Sequence, residues 1–455
     1  MSLLTIAAIL LALTGLFAWI NQRFFKLPVT IGLMILALSN ALGLLVLEQI
    51  EPRWVEPVER MMMSIDFDRT LMHGMLGYLL FAGALHVDMA KLRNQRAIVL
   101  LLATVGVLLT AVLVGGATWF VTQLFNLHVP FVFCLAFGAL IAPTDPIAVL
   151  AILKKVGAPK SIEIKLAGES LFNDGVAVVL FIGLLRIAGV GGPAAVARAA
   201  QQDLTDEILH HAEGVLKLFM VEVGGGILLG LALGGLLVAL LARIDDYKTE
   251  VLLTLAGVTG GYELCTVFHF SGPLAMVIAG LFIGNRGRMA ALSEESARRL
   301  DDFWELIDEI LNSVLFVLIG LEVLIITLEP SYLIAGALVI PLVLLGRLVT
   351  VAGLTWLLKR THEFSAGATR VLAWAGLRGG VSVALALSLK GKLPPEMSAV
   401  GDLLVTMTYV VVCFSIIVQG LTIGPLVKKL GLAGLPPSMP PSMPPAPVAP
   451  PPPGH

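Results

Sequence analysis

The chain has 455 residues, 57% of them hydrophobic and only 14% charged, and its mean hydropathy is +0.93. A soluble domain with a charged shell is excluded by these values, and a bilayer-embedded protein is expected. The net charge of −2 gives no reason to expect a nucleic-acid partner or an acidic substrate.

Crossing a bilayer takes about 20 apolar residues in a helix, and runs of that kind recur along the chain. Thirteen membrane helices are predicted, near Leu3–Ile20, Pro28–Leu47, Thr70–Met89, Ile98–Thr122, Pro130–Leu153, Ile162–Gly189, Val215–Leu241, Thr249–Phe268, Gly272–Gly284, Phe303–Leu328, Ser331–Leu358, Ala366–Leu389 and Ala399–Val427. The first has neither a basic leader nor a small-residue cleavage pattern, so it reads as a retained helix and not a signal peptide. Gly272–Gly284 is short for a full span. Pro193–Glu213, Ala-rich with scattered charge, reads as an outer interfacial helix or loop. The stretch Leu435–His455 holds eleven prolines and no Asp, Glu, Lys or Arg; such a segment cannot bury a core and is expected to be disordered. Cys134, Cys265 and Cys413 lie far apart in apolar runs and read as packing residues.

Basic residues orient the set. With the N-terminus outside and the C-terminus cytoplasmic, twenty of the thirty Lys and Arg fall in cytoplasmic connections and six in outer ones, the asymmetry expected of an inner-facing basic side. The other four are Arg186, Lys217, Arg347 and Arg378. Arg186 and Lys217 sit near helix ends, where long side chains reach the interface. Arg347 and Arg378 lie deep and need partners.

The polar exceptions inside the apolar runs carry the functional signal. Gly168-Glu169-Ser170-Leu171-Phe172-Asn173-Asp174-Gly175 puts two acids, an amide and a hydroxyl into one helical run. Glu169 and Asn173 are four apart, as are Ser170 and Asp174, so the four share a helix face. Charge at this depth survives when it faces the protein interior or an ion path; a buried ion pair or packing patch and a cation or proton site are both open at this point. Pro143-Thr144-Asp145-Pro146 should open another span, because proline removes a donor and clashes with the preceding turn. Its freed carbonyls then need a partner. Gly376-Leu377-Arg378-Gly379-Gly380 interrupts a third. Interrupted helices in corresponding halves mark an inverted-repeat secondary transporter with a midplane site.

Together with Gly346-Arg347-Leu348 in a long apolar helix, these strings resemble the monovalent cation/proton antiporters of the sodium/proton exchanger type. The resemblance covers about residues 3–430. It implies an all-α polytopic fold of about thirteen helices with two interrupted crossing helices, alternating access and a homodimer. The domain organisation it implies is a transporter domain over 1–430, followed by a Pro-rich tail over 431–455, without a regulatory domain. It makes Asp174 the carboxylate shared by Na+ and protons, positioned by Asn173. Ser170, Asp145 and Thr144, through its backbone carbonyl, would supply further oxygens to the ion. Glu169 would pair with Arg347, and Arg378 would compensate the broken helices. No cofactor is implied; the cargo is H+ and Na+, or K+ or Li+ in its place. The expected setting is the plasma membrane, a bacterial inner membrane, and the expected role is pH homeostasis. One departure stands out: in Leu80-Phe81-Ala82-Gly83, Ala82 replaces the acid many members carry, which leaves the ligand set and ion preference open.

Other polar residues are expected to do less. His86 and Asp88 read as interfacial, and Glu222, Glu263, His269 and Glu322 as packing or helix-end residues. Asp301, Asp302, Glu305, Asp308 and Glu309 suit the start of a helix, or a cation-attracting funnel. A K+/H+ antiporter and a cation channel remain alternatives. An enzyme is not expected, since no His-Glu-x-x-His string or His/Cys/Asp constellation is present.

Overall fold

In a bilayer a chain must satisfy its backbone N–H and C=O groups internally, and every regular element among the described residues is helical. The structure is a computed structural model that describes residues 3–65, 67, 70–190, 204–359 and 367–434. Residues 193–203 of the expected outer stretch and residues 435–455 of the Pro-rich tail lie outside the described residues, as does the side chain of Lys217.

In chain order the helices are α1 (Leu3–Ile20), α2 (Val29–Glu48), the short α3 (Glu56–Ser64), α4 (Leu76–Leu85), α5 (Met89–Leu101), α6 (Val107–Leu124), α7 (Phe131–Ile141), α8 (Ile147–Val156) and α9 (Lys160–Ile187). There follow α10 (Leu204–Leu241), α11 (Tyr247–Phe268), α12 (Gly272–Phe282), α13 (Glu294–Leu321), α14 (Pro330–Leu358), α15 (Ala368–Trp374), α16 (Gly380–Lys392), α17 (Ser398–Phe414) and α18 (Gly420–Lys429). Wide π turns at Leu102–Gly106 and Ser415–Gln419 join α5 to α6 and α17 to α18. Eight helical stretches among the described residues are long and apolar enough to cross a membrane, and the shorter α4 and α7 are also apolar. The chain is an all-α, multi-pass membrane protein.

Side chains are arranged inside out relative to a soluble protein. Leu4, Leu11 and Trp19 of α1, Leu108, Val112 and Phe120 of α6, and Leu345 and Trp356 of α14 are exposed, as suits surfaces that meet lipid. Thr118, Thr122, Glu169, Asn173, Arg347 and Arg378 are buried. The buried apolar residues form one large core drawn from α1, α2, α5–α9, the second half of α13 and α14–α18. A second core comes from α4, α10–α12 and the first half of α13.

Without a hydrophobic drive between helices in lipid, close packing depends on small residues. Gly115 of α6 faces the backbone of Cys134 and Leu135 on α7, and Gly138 of α7 faces the carbonyl of Ala111 on α6. A side chain at either would separate the two helices. At the surface, Asp246 caps α11 by accepting from Thr249 Oγ1 at 2.6 Å and Thr249 N at 3.1 Å. These bonds hold its carboxyl below the usual carboxylate range. Ser293 caps α13 in the same way, through Ser296 N.

Candidate cation site

The two interrupted spans meet inside the larger core. Helix α7 ends at Ile141 and α8 starts at Ile147; α15 ends at Trp374 and α16 starts at Gly380. The non-helical segments between them cross, joined where the Asp145 N–H donates to the Leu377 carbonyl at 2.8 Å. Pro143 and Pro146 lack N–H groups, which explains why the first segment cannot continue as helix.

Arg378 fills the junction. It is 2% exposed, and its Nη1 donates to the carbonyls of Ala142 at 2.8 Å and Pro143 at 3.0 Å. A guanidinium thus satisfies the orphan acceptors at the end of α7, where the helix dipole favours positive charge. Its backbone N–H donates to Ser415 Oγ at 2.9 Å, and Ser415 Oγ donates to Gln419 Oε1 at 2.7 Å. Gln419 Nε2 in turn donates to the Trp374 carbonyl at 2.9 Å. The π turn Ser415–Gln419 therefore holds both sides of the second break. Sequence reasoning missed this support, although the i, i+4 spacing of Ser415 and Gln419 was there to be seen.

The polar face of α9 divides between two neighbours. Glu169 turns to α14 and meets Arg347 as a bidentate pair, Nη1 to Oε1 and Nη2 to Oε2, the latter at 2.9 Å. Arg347 Nη2 also reaches the Leu372 carbonyl at 3.3 Å. Ser170 and Asn173 turn to the first break. Ser170 Oγ and Thr144 Oγ1 share a hydrogen bond of 2.9 Å, and Asn173 Nδ2 donates to Thr144 Oγ1 at 2.9 Å. Asn173 Oδ1 is buried without a hydrogen-bond partner.

Asp145 and Asp174 are both half-buried. Asp145 Oδ1 accepts from Ile147 N at 2.9 Å and so satisfies the first N–H of α8. A Cβ on Gly379 would fall 2.5 Å from Asp145 Oδ2, so only glycine lets the second break pass this carboxylate so closely. Asp174 lies near enough to Asp145 for their charges to interact. Neither carboxylate has an ion-pair partner among the described residues: Arg347 is taken by Glu169, and Arg378 Nη1 donates to carbonyls. Two neighbouring carboxylates away from bulk water repel, and a bound cation or proton relieves that repulsion. Their oxygens, with those of Thr144, Ser170 and Asn173, form the hard donor set that alkali cations prefer.

The family described as "Sodium/hydrogen exchanger, transmembrane" matches residues 8–429. The chain belongs to the sodium/hydrogen exchanger family. It is 45% identical over 439 residues to the Na+/H+ antiporter NhaP of Pseudomonas aeruginosa, covering 95% of this chain and 98% of that one. It is 35% identical to the Na+/H+ antiporter NhaH of Halobacillus dabanensis, over 90% of this chain and 94% of the other. Its fold is similar to the solved sodium proton antiporter MjNhaP1 of Methanocaldococcus jannaschii, with a TM-score of 0.69 and 20% identity, covering 95% of this chain and 100% of that one. These relatives are transporters, and this exchanger-family chain shares their inverted-repeat antiporter fold with two interrupted crossing helices.

Residues outside this cluster fall in several places. Ala82 is fully buried in the second core. His86 hydrogen-bonds back to the Ala82 carbonyl, and Asp88 Oδ1 accepts from Ala90 N at the start of α5. Glu222 of α10 pairs with Arg186 of α9 at 3.2 Å, a contact between distant segments that no local pattern announces. Glu322 is buried and Glu263 exposed.

Proposed function

We propose that this protein exchanges Na+ for H+ by alternating access, with Asp174 as the carboxylate that holds either ion. The supporting observation is the pair of neighbouring half-buried carboxylates, Asp145 and Asp174, at the crossing of two broken helices, with no ion-pair partner for either among the described residues. Thr144, Ser170 and Asn173 complete the polar lining; Glu169–Arg347 and Arg378 hold the scaffold and do not carry cargo. The names of the relatives support Na+ as the cation. Exchange is electroneutral, one cation for one proton, because Glu169 is held by Arg347 and Asp145 is held at the start of α8.

The transporter domain spans residues 1–430 and crosses the bacterial inner membrane thirteen times, as a homodimer, with the N-terminus outside and the C-terminus in the cytoplasm. The excess of Lys and Arg on one set of connections supports that orientation. The test is cation-induced collapse of an imposed pH gradient in liposomes holding the purified protein, with Na+, K+ and Li+ added separately. Saturable, cation-dependent proton movement is expected. Conductance without proton coupling would identify a channel and overturn the proposal.

A further inference from the structure

Helix α13, whose acids from Asp301 to Glu309 suit a helix start or a cation-attracting funnel, also contributes a wall of the site. Its Leu315 lies against Gly380, the first residue of α16, where a Cβ would come within 2.7 Å of the leucine side chain. Asp308, Asn312 and Leu315 are spaced i, i+4 and i+7, so they share one face of α13 and lead away from the crossing towards its N-terminal half. Asn312 is 2% exposed; its Nδ2 donates to the Asp308 carbonyl at 2.8 Å, while its Oδ1 is buried without a partner. A buried amide oxygen without a donor is costly, and a cation is one group that would satisfy it. Asp308 is half-buried and near enough to Asp145 for their charges to interact. One turn earlier on the same face, Trp304 packs on Phe81 with ring centres 4.7 Å apart, in the core that includes Ala82. The third span thus reaches α13 without bringing an acid, and Asp308 brings one from α13 itself.

The geometry points to a second cation station, formed by the Asp308 carboxylate and Asn312 Oδ1, between the cytoplasmic end of the molecule and the Asp145–Asp174 pair. It rests on the proposed antiport and orientation. The station takes up a hydrated cation first and raises its concentration beside the pair. Glu305 and Glu309, exposed on either side of Asp308, strengthen the local field.

The test uses the full-length chain in liposomes sorted by orientation, with Na+ as the probe on either face. Asp308→Asn should raise the half-saturating Na+ concentration at the cytoplasmic face about tenfold, with little change in maximal rate and none in half-saturation at the outer face. Asp308→Glu should restore most of the loss, and Asn312→Leu should raise half-saturation about threefold. Added choline chloride should shrink the difference between wild type and Asp308→Asn by screening. Asp308→Ser replaces Asp308→Asn if the latter fails to fold. An unchanged cytoplasmic half-saturation, or an equal change at both faces, overturns the proposal. Asp174→Asn in the same vesicles separates the two readings: continued exchange there defeats the shared-carboxylate mechanism, while a one-sided Asp308 effect still supports the station.

Discussion

The Glu169–Arg347 pair gives the sharpest test of how the scaffold is held. Both side chains are almost fully buried, at 1% and 4% exposure, and two parallel charge-assisted hydrogen bonds join them, with a third from Arg347 to Leu372. Removing one member of such a pair leaves a buried charge uncompensated, at a cost of about 3–5 kcal/mol. The two single losses should not be equal. Arg378 is close enough to feel both the repulsion of Arg347 and the attraction of Glu169. Arg347→Met therefore leaves Glu169 with a second guanidinium nearby, whereas Glu169→Gln leaves two buried guanidiniums with no acid between them. Glu169→Gln should be the worse single change, towards the upper end of that range. The double variant Glu169→Leu/Arg347→Met removes both charges and should cost less than either single change. Thermal unfolding of the detergent-purified proteins orders the four forms. A double variant no more stable than the better single one would refute the reasoning, and Arg347→Met falling below Glu169→Gln would refute the role given to Arg378.

Three further outcomes follow from the proposed exchange. Asp174→Asn should abolish cation-driven proton movement while leaving expression and the unfolding temperature near wild type; retained exchange in the purified variant removes Asp174 from the mechanism. If one carboxylate holds either ion, the half-saturating Na+ concentration should rise as pH falls, by up to about tenfold per pH unit where protons compete fully; a value independent of pH between about 6 and 8 argues against a shared site titrating in that window. Electroneutral exchange should run at the same rate with the membrane potential clamped by K+ and valinomycin at different values, and a rate that follows the potential defeats one-for-one stoichiometry.

The elements with local signals were the legible ones. Pro143, Pro146 and the glycines from Gly376 to Gly380 mark chain breaks because their backbone chemistry is local, and the breaks lie at Ala142–Pro146 and Ala375–Gly379. That the breaks cross, and that Asp145 donates to Leu377 there, depends on residues more than 230 positions apart and leaves no periodic trace. Helix limits were read less well. Hydropathy places one span at Ile98–Thr122, yet the helix is already formed at Met89, since charged residues such as Arg93 and Arg96 lower hydropathy without ending the hydrogen-bond ladder. The π turns at Leu102–Gly106 and Ser415–Gln419 contain no proline and gave no warning. At the site, the residue types of α9 were readable, but the expected single face is shared between α14 and the first break. Asn312 was invisible because an asparagine in an apolar helix signals little until its unpartnered oxygen is seen.

The contacts of Arg378 also bear on the order in which the molecule is made. The carbonyls of Ala142 and Pro143 emerge from the ribosome long before the guanidinium that satisfies them, 236 and 235 residues later. Until then the first half of the chain holds a gap in its backbone hydrogen bonding at membrane depth, where an exposed carbonyl is costly. Those two bonds can form only once the segment bearing Arg378 has been made.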